Sequence, residues 1–357
     1  MKYNILVINP GSSSTKLARY ENERPAFEKS LRHPKEKISK FPKVIDQYDY
    51  RKGCILEKLK ESRFDIKTLS CVVGRGGPFK PLLSGTYEIN KQLIEDIKAG
   101  NIQSEHSSLL GALLASAIAK PLNIPAFFVD PVSVDEFWGP SRFSGLPEIE
   151  RKSLSHALNV RMVAKEAAKR LKKTSQKCNF VIVHLGTGIT VAAHLKGIQV
   201  DASNANEDGP FSPQRAGNLP TAPLVELCYS RKYKKDEILE KLQRSGGLIA
   251  YLGTDDISEI EQRINSGDMK AKRVYDAMIY QIAKEIGAYS VVLKGTLDAI
   301  IITGGIAHSK HFIQKLKTWI KFLSNRIFVY PGEGEMLALA KGALRVLKGE
   351  EKVKEYR

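Results

Sequence analysis

The sequence predicts an α/β protein made of two similar halves, and three observations lead there. Strand-like and helix-like segments alternate along the chain. A strand, a turn of small residues and two further strands occur near the start and again about half a chain later. No apolar run approaches the roughly 20 residues of a membrane-spanning helix, while 42% hydrophobic and 27% charged residues suit a water-soluble chain.

Along the chain, Tyr3-Asn4-Ile5-Leu6-Val7-Ile8 reads as a buried strand, cut too soon by Asn9 and Pro10 to be a secretory signal. The turn Asn9-Pro10-Gly11-Ser12-Ser13-Ser14 leads into returning strands over residues 15–20 and about 24–31. Residues 69–73 are strand-like, the apolar run 109–119 reads as a buried helix, and 126–129 is another strand. Helical periodicity marks 151–171. The opening pattern then recurs as Phe180-Val181-Ile182-Val183, the turn His184-Leu185-Gly186-Thr187-Gly188, and strands over 189–194 and 198–201. Residues 271–293 are helical, and 297–302 form a buried strand ending in Thr303-Gly304-Gly305. A short strand over 327–330 precedes Pro331-Gly332-Glu333-Gly334, and a last helix covers 335–347.

Two hairpins can resemble each other by chance, but their matched position favours duplication, with a ligand held between the halves. Crossing segments near 150 and 330 then divide the chain into 1–150 plus 331–357 and 151–330. The length of 357 residues suits two cores better than one. Residues 109–119 and the last helix offer apolar faces to a second copy, so a homo-oligomer, a dimer or larger, is expected.

Cys54, Cys71, Cys178 and Cys228 lack C-x-x-C spacing, and the seven histidines lack metal-ligand spacing. Reduced thiols in a cytoplasmic protein are the expectation. The net charge of +17 attracts anions. Its lysines are nevertheless spread in stretches such as Arg231-Lys232-Tyr233-Lys234-Lys235, without a groove-reading motif, so neither nucleic acid nor a membrane is an expected partner.

The first turn, continued through Thr15-Lys16, gathers hydroxyls, backbone N–H groups and a lysine into one tight reversal. That is the donor set a polyphosphate needs. It is no Walker loop, and an ordinary serine-rich hairpin would look the same; the echo at Gly186-Thr187-Gly188 favours phosphate. Thr303-Gly304-Gly305-Ile306 follows a buried strand, where backbone can approach a nucleotide closely, although glycine pairs also serve plain turns.

Asn9 to Lys16 matches the N-x-G-S-S-S-x-K signature of the acetate and butyrate kinases, in the actin-like ATPase superfamily. The chain resembles the butyrate kinases more closely, through Val73-Gly74-Arg75-Gly76-Gly77, Glu105-His106-Ser107-Ser108, Val129-Asp130-Pro131, His156-Ala157-Leu158-Asn159 and Gly209-Pro210-Phe211-Ser212-Pro213-Gln214-Arg215. These stretches run in order over nearly the whole chain. The resemblance implies two actin-like, ribonuclease H-like domains with mixed sheets flanked by helices, and an interdomain cleft that binds ATP or ADP, Mg²⁺ and a small carboxylic acid.

It implies roles as well. Arg75 would hold the substrate carboxylate, Arg215 the transferring phosphoryl group, and His156 would donate to the equatorial oxygens. Asp130 and Glu335, or its neighbour Glu333, would serve Mg²⁺. Asn9, Ser12, Ser14, Lys16, His184, Gly186, Thr187, Gly188, Gly304, Gly305 and Ile306 would line the nucleotide, and Gly77, His106, Ser155 and Pro213 the acid. A carboxylate is ionised at neutral pH and needs no general base, so catalysis would rest on positive charge and in-line positioning. Two departures bear on preference. Thr187 stands where these kinases have glycine, and Ser155 where they have phenylalanine. Gly77, in place of a bulkier residue of acetate kinases, suggests room for a C4 or branched acid, although it would also suit the backbone of Gly76-Gly77-Pro78. Acetate or propionate kinase activity, and a nucleotide-binding regulator without turnover, are the rival readings.

Overall fold

The computed structural model describes residues 1–62 and 64–357. The strands among them are β1 (Asn4–Pro10), β2 (Ser14–Glu21), β3 (Arg24–Arg32), β4 (Cys71–Arg75), β5 (Thr86–Glu88), β6 (Ala126–Val129), β7 (Asn179–Leu185), β8 (Ile189–Leu195), β9 (Ile198–Ala202), β10 (Ala299–Gly304), β11 (Ile327–Pro331) and β12 (Lys354–Glu355). Two compact units emerge, Met1–Asp135 with Gly334–Arg357, and Glu136–Glu333. No described helix is long and apolar enough to cross a membrane.

The first unit carries a sheet in the order β12-β5-β6-β4-β1-β2-β3. β1, β2 and β3 run antiparallel as a meander, and β4 and β6 continue from β1 in parallel. The helices Leu109–Ala119 and Glu335–Leu347 pack on β1, β4 and β6. Their apolar faces are consumed there: Leu109, Leu110, Leu113, Leu114, Ile118, Leu339 and Leu344 are all core residues. Contrary to the expectation from sequence, these two faces are not available to a second copy.

The second unit repeats the plan in the order β11-β10-β7-β8-β9. β7, β8 and β9 are antiparallel, and β10 and β11 continue from β7 in parallel. The repeated sequence pattern is thus a repeated sheet. The Met269–Val292 helix, started by Asp268 accepting from the Ala271 N–H, buries Tyr275, Met278, Ile279, Ile282 and Ile286.

The units divide after Glu333, close to the 330 expected, and after Asp135, ahead of the 150 expected. Residues 136–150 fold with the second unit because Trp138 N–H donates to Val200 O and Glu136 pairs with Arg161. The helix expected from 151 begins at Ala157. Arg151 is drawn away instead, donating to Ser141 O, Ala202 O and the Asp201 carboxylate.

Candidate active-site clusters

Parallel strands end side by side, and in the first unit this assembles one cluster. Ile8 pairs with Gly74, and Arg75 with Val129, so Asn9, Arg75 and Asp130 sit at the carboxyl ends of β1, β4 and β6. Ligands in α/β folds bind at such ends. Glu335 arrives at the start of its helix. The Arg75 guanidinium grips the Glu335 carboxylate through both nitrogens, Nη1 to Oε2 at 2.8 Å and Nη2 to Oε1 at 2.7 Å. Asn9 Nδ2 donates to the same Oε2 at 2.8 Å. Asp130 is buried, and its Oδ1 accepts from Gly85 N–H at 2.7 Å. Its φ of +36° is a strained value for a non-glycine residue, the kind of backbone found at functional sites.

Lys16 and Ser12 are exposed, and Ser14 is half-buried. His106 is exposed ahead of the Leu109–Ala119 helix, and its Nδ1 accepts from Ser108 N–H. Gly77 corrects the sequence reading. A Cβ there would lie 2.9 Å from the Leu109 backbone and 2.8 Å from its side chain. The glycine therefore admits the helix, and leaves no void for an acyl chain.

The second unit assembles another cluster. The His156 and His184 rings stack with centroids 3.9 Å apart and planes 11° from parallel. Asn159 Nδ2 donates to Glu333 O, so Asn159 Oδ1 accepts from His184 Nδ1–H, at 2.9 Å. His156 Nδ1 meets the buried Thr190 hydroxyl at 2.9 Å. The Arg215 guanidinium lies against Gly188, where a Cβ would stand 2.1 Å from Nη1. No carboxylate pairs with Arg215 among the described residues, and burial pushes its pKa down. A half-buried cation without a counterion is an anion receptor. Thr187 is exposed, its carbonyl held by Ser212 Oγ at 2.5 Å, and its φ is not positive, so the departure from glycine brings no strain.

Other predicted residues lie differently. Gly304, at φ +95°, is required by close backbone approach, since a Cβ would lie 2.2 Å from Leu185 O. Gly305 has open space beside it. Ile306 belongs to the core, and Pro213 is buried with its carbonyl accepting from Ile249 N–H, so both side chains pack inside the unit. Ser155 is buried on Gln199, whose Nε2 donates to it at 3.1 Å.

Sequence reasoning missed Asn159 and Arg51. Arg51 shares a buried helical stripe with Ile55 and Leu59, four and eight residues on, an unusual place for arginine and the one signal that marks it.

Comparison with known proteins gives the family and the fold. Residues 149–324 match the model of the Acetokinase family. Butyrate kinase 1 of Clostridium acetobutylicum is 46% identical over 99% of this chain and 100% of that protein. Among solved structures, the acetate kinase of Porphyromonas gingivalis superposes with a TM-score of 0.75 at 19% identity, covering 96% of this chain and 99% of that one. A propionate kinase from Francisella tularensis gives 0.73 at 20% identity, covering 95% and 98%. The fold is therefore that of the acetate kinases, an actin-like α/β architecture.

Proposed function

The chain belongs to the acetokinase family, and from that premise we propose that it transfers the γ-phosphoryl group of ATP to a short-chain fatty acid carboxylate, butyrate or isobutyrate ahead of acetate. The products are the acyl phosphate and ADP. The reaction is reversible because an acyl phosphate is itself a strong phosphoryl donor. The observation that carries this reading is the bidentate grip of Arg75 on a carboxylate, here that of Glu335. A fatty-acid carboxylate offers the same two oxygens to the same fork.

The acid is ionised already, so the barrier is repulsion between anions. Arg75 orients one oxygen for in-line attack, and Arg215 receives the negative charge of the transferring group. His156 donates to its oxygens, with ring orientation set by Thr190 and the stack on His184. The turns at 9–16 and 184–188, with Gly305, hold the nucleotide. Asp130 and Glu335 suit Mg²⁺, which keeps several water and phosphate ligands and needs few from protein. Among the described residues there is no cluster of three or more metal-ligating side chains, which fits such a loosely held ion. Bound with ATP, Mg²⁺ supplies neutralisation of the phosphate oxygens. Release of Glu335 from Arg75 would free the fork for the acid and leave the carboxylate as one of the groups that would hold the metal.

Preference for a C4 acid rests on the kinship with Butyrate kinase 1. Leu109, filling the space beside Gly77, is the one observation on the side of acetate or propionate. The reading includes a cytoplasmic homo-oligomer, supported by the exposed Phe143, Leu146 and Ile149 of one loop and checked by solution mass. Acyl phosphate trapped with hydroxylamine, compared across acetate, propionate, butyrate, isobutyrate and valerate, tests the activity. The highest kcat/KM is expected with butyrate or isobutyrate. A higher value for acetate would sink the preference, and no product despite ATP binding would sink the kinase reading.

A further inference from the structure

Among the described residues the largest fully buried side chain is a cation, Arg51 of the Tyr48–Glu61 helix. Every N–H of its guanidinium is used, and every acceptor is neutral. Nη1 donates to Gly11 O at 2.9 Å, Ser14 O at 3.2 Å and Thr15 Oγ1 at 3.1 Å. Nη2 donates to Ser12 O at 3.1 Å and Gln47 Oε1 at 2.8 Å, and Nε to Gln47 Oε1 at 3.0 Å. No acidic side chain pairs with it among the described residues. His33 N–H takes the remaining carbonyl, Ser13 O, at 2.8 Å. All four carbonyls of Gly11 to Ser14 are thus tied into the first unit.

That arrangement dictates where the amides face. In a planar trans peptide the C=O of one residue and the N–H of the next point opposite ways. With Gly11 O and Ser12 O turned to the guanidinium, the N–H groups of Ser12 and Ser13 turn away from it, on the exposed side of the turn. Successive outward amides form an anion-binding concavity. The positive charge behind them has no counterion and little solvent, so its field reaches through the turn.

We propose that Arg51 is a positioning residue for nucleotide phosphate, holding the Ser12 and Ser13 amides outward and supplying an uncompensated positive charge behind them. This rests on the reading of that turn as a phosphate site. It differs from a role in folding alone, which would ask for the hydrogen bonds but not for the missing counterion. Gln47 makes the distinction testable, because Gln47→Glu keeps the shape and places a carboxylate on the guanidinium.

The experiment measures Kd for ATP and ADP by displacement of a fluorescent nucleotide, KM for nucleotide and for butyrate, and Tm, on the full-length chain. Gln47→Glu is expected to hold or raise Tm while weakening nucleotide about fivefold and leaving KM for acid within twofold. Arg51→Lys, whose three donors cannot span the five backbone and side-chain acceptors, is expected to weaken nucleotide tenfold or more. If Arg51→Lys does not fold, Gln47→Glu decides alone. Folded variants that bind nucleotide within twofold of the parent would overturn the proposal. Lys16→Met separates this from the underlying reading: weaker nucleotide there with unchanged Gln47→Glu refutes Arg51 only, whereas an unchanged Lys16→Met refutes the phosphate turn itself.

Discussion

The two hairpin turns share a sheet position but meet their arginines from opposite sides. In the first unit Arg51 lies inside the protein and holds the turn by its carbonyls. In the second, Arg215 lies over Gly188, half-buried and without a counterion among the described residues. The first turn is rich in serine because its side chains and amides face outward around an internal anchor. The second needs a glycine because a guanidinium occupies the place of its side chain. Duplicated backbones can thus diverge in how they use a cation, one turn anchored on it from within and the other leaving room for it on its own surface.

The sharpest way to break this comparison is Arg215→Lys. If its planar fork serves the transferring phosphoryl group, kcat for acyl phosphate formation falls by about 10³ or more while nucleotide Kd changes little. Equal losses in Kd and kcat would instead make Arg215 a second cradle, like Arg51.

Acidity should separate the hairpins' supports next. Burial, with the nearby Arg51 charge adding to it, pushes His33 down to about 4, and burial pushes His194 in β8 down to about 3. Above pH 6.5 both are neutral in folded and unfolded chains, so neither affects stability. As pH falls from 6.5 towards 4, the unfolded chain takes up protons that the folded chain refuses, and stability drops. For His33 alone the loss is ~3 kcal/mol, complete once pH is below its folded value. Denaturant midpoints at pH 7 and 4.5 would show it, and His33→Gln should flatten the profile; an unchanged slope would remove His33 from the first turn's support.

Gly188→Ala tests the contact directly. A methyl group 2.1 Å from Arg215 Nη1 must displace the guanidinium, and activity is expected to fall by about 10² with Tm nearly kept. The smallest effect belongs to Thr187→Gly. With no positive φ to relieve, glycine there should lower stability by less than about 1 kcal/mol, through the freedom it gives the unfolded chain. A gain in Tm would reveal strain at Thr187 that its backbone does not show.

Much of this was legible from local pattern. The apolar strands, the 109–119 and 335–347 helices and the repeated hairpin follow from periodicity, which depends only on neighbouring residues. Asn9, Arg75 and Glu335 were named from motif and do converge, although 260 positions separate Arg75 from Glu335. Gly77 misled because an absent side chain looks the same whether ligand or backbone fills the space. A motif marks a neighbourhood without saying which way each side chain turns, and at Ile306 and Pro213 both are buried.

The sequence by itself determined two sheets with matching hairpins, the small-residue turns and the supply of arginines and histidines. Those rest on short-range steric and hydrophobic preferences written into adjacent residues. Only the tertiary structure decided that Arg75 holds Glu335, that His184 stacks on His156, and that Arg51 lies beneath the serine turn while Arg215 lies over the glycine one. Such pairings join residues distant in the chain, and a buried charge acquires its role from the groups that surround it.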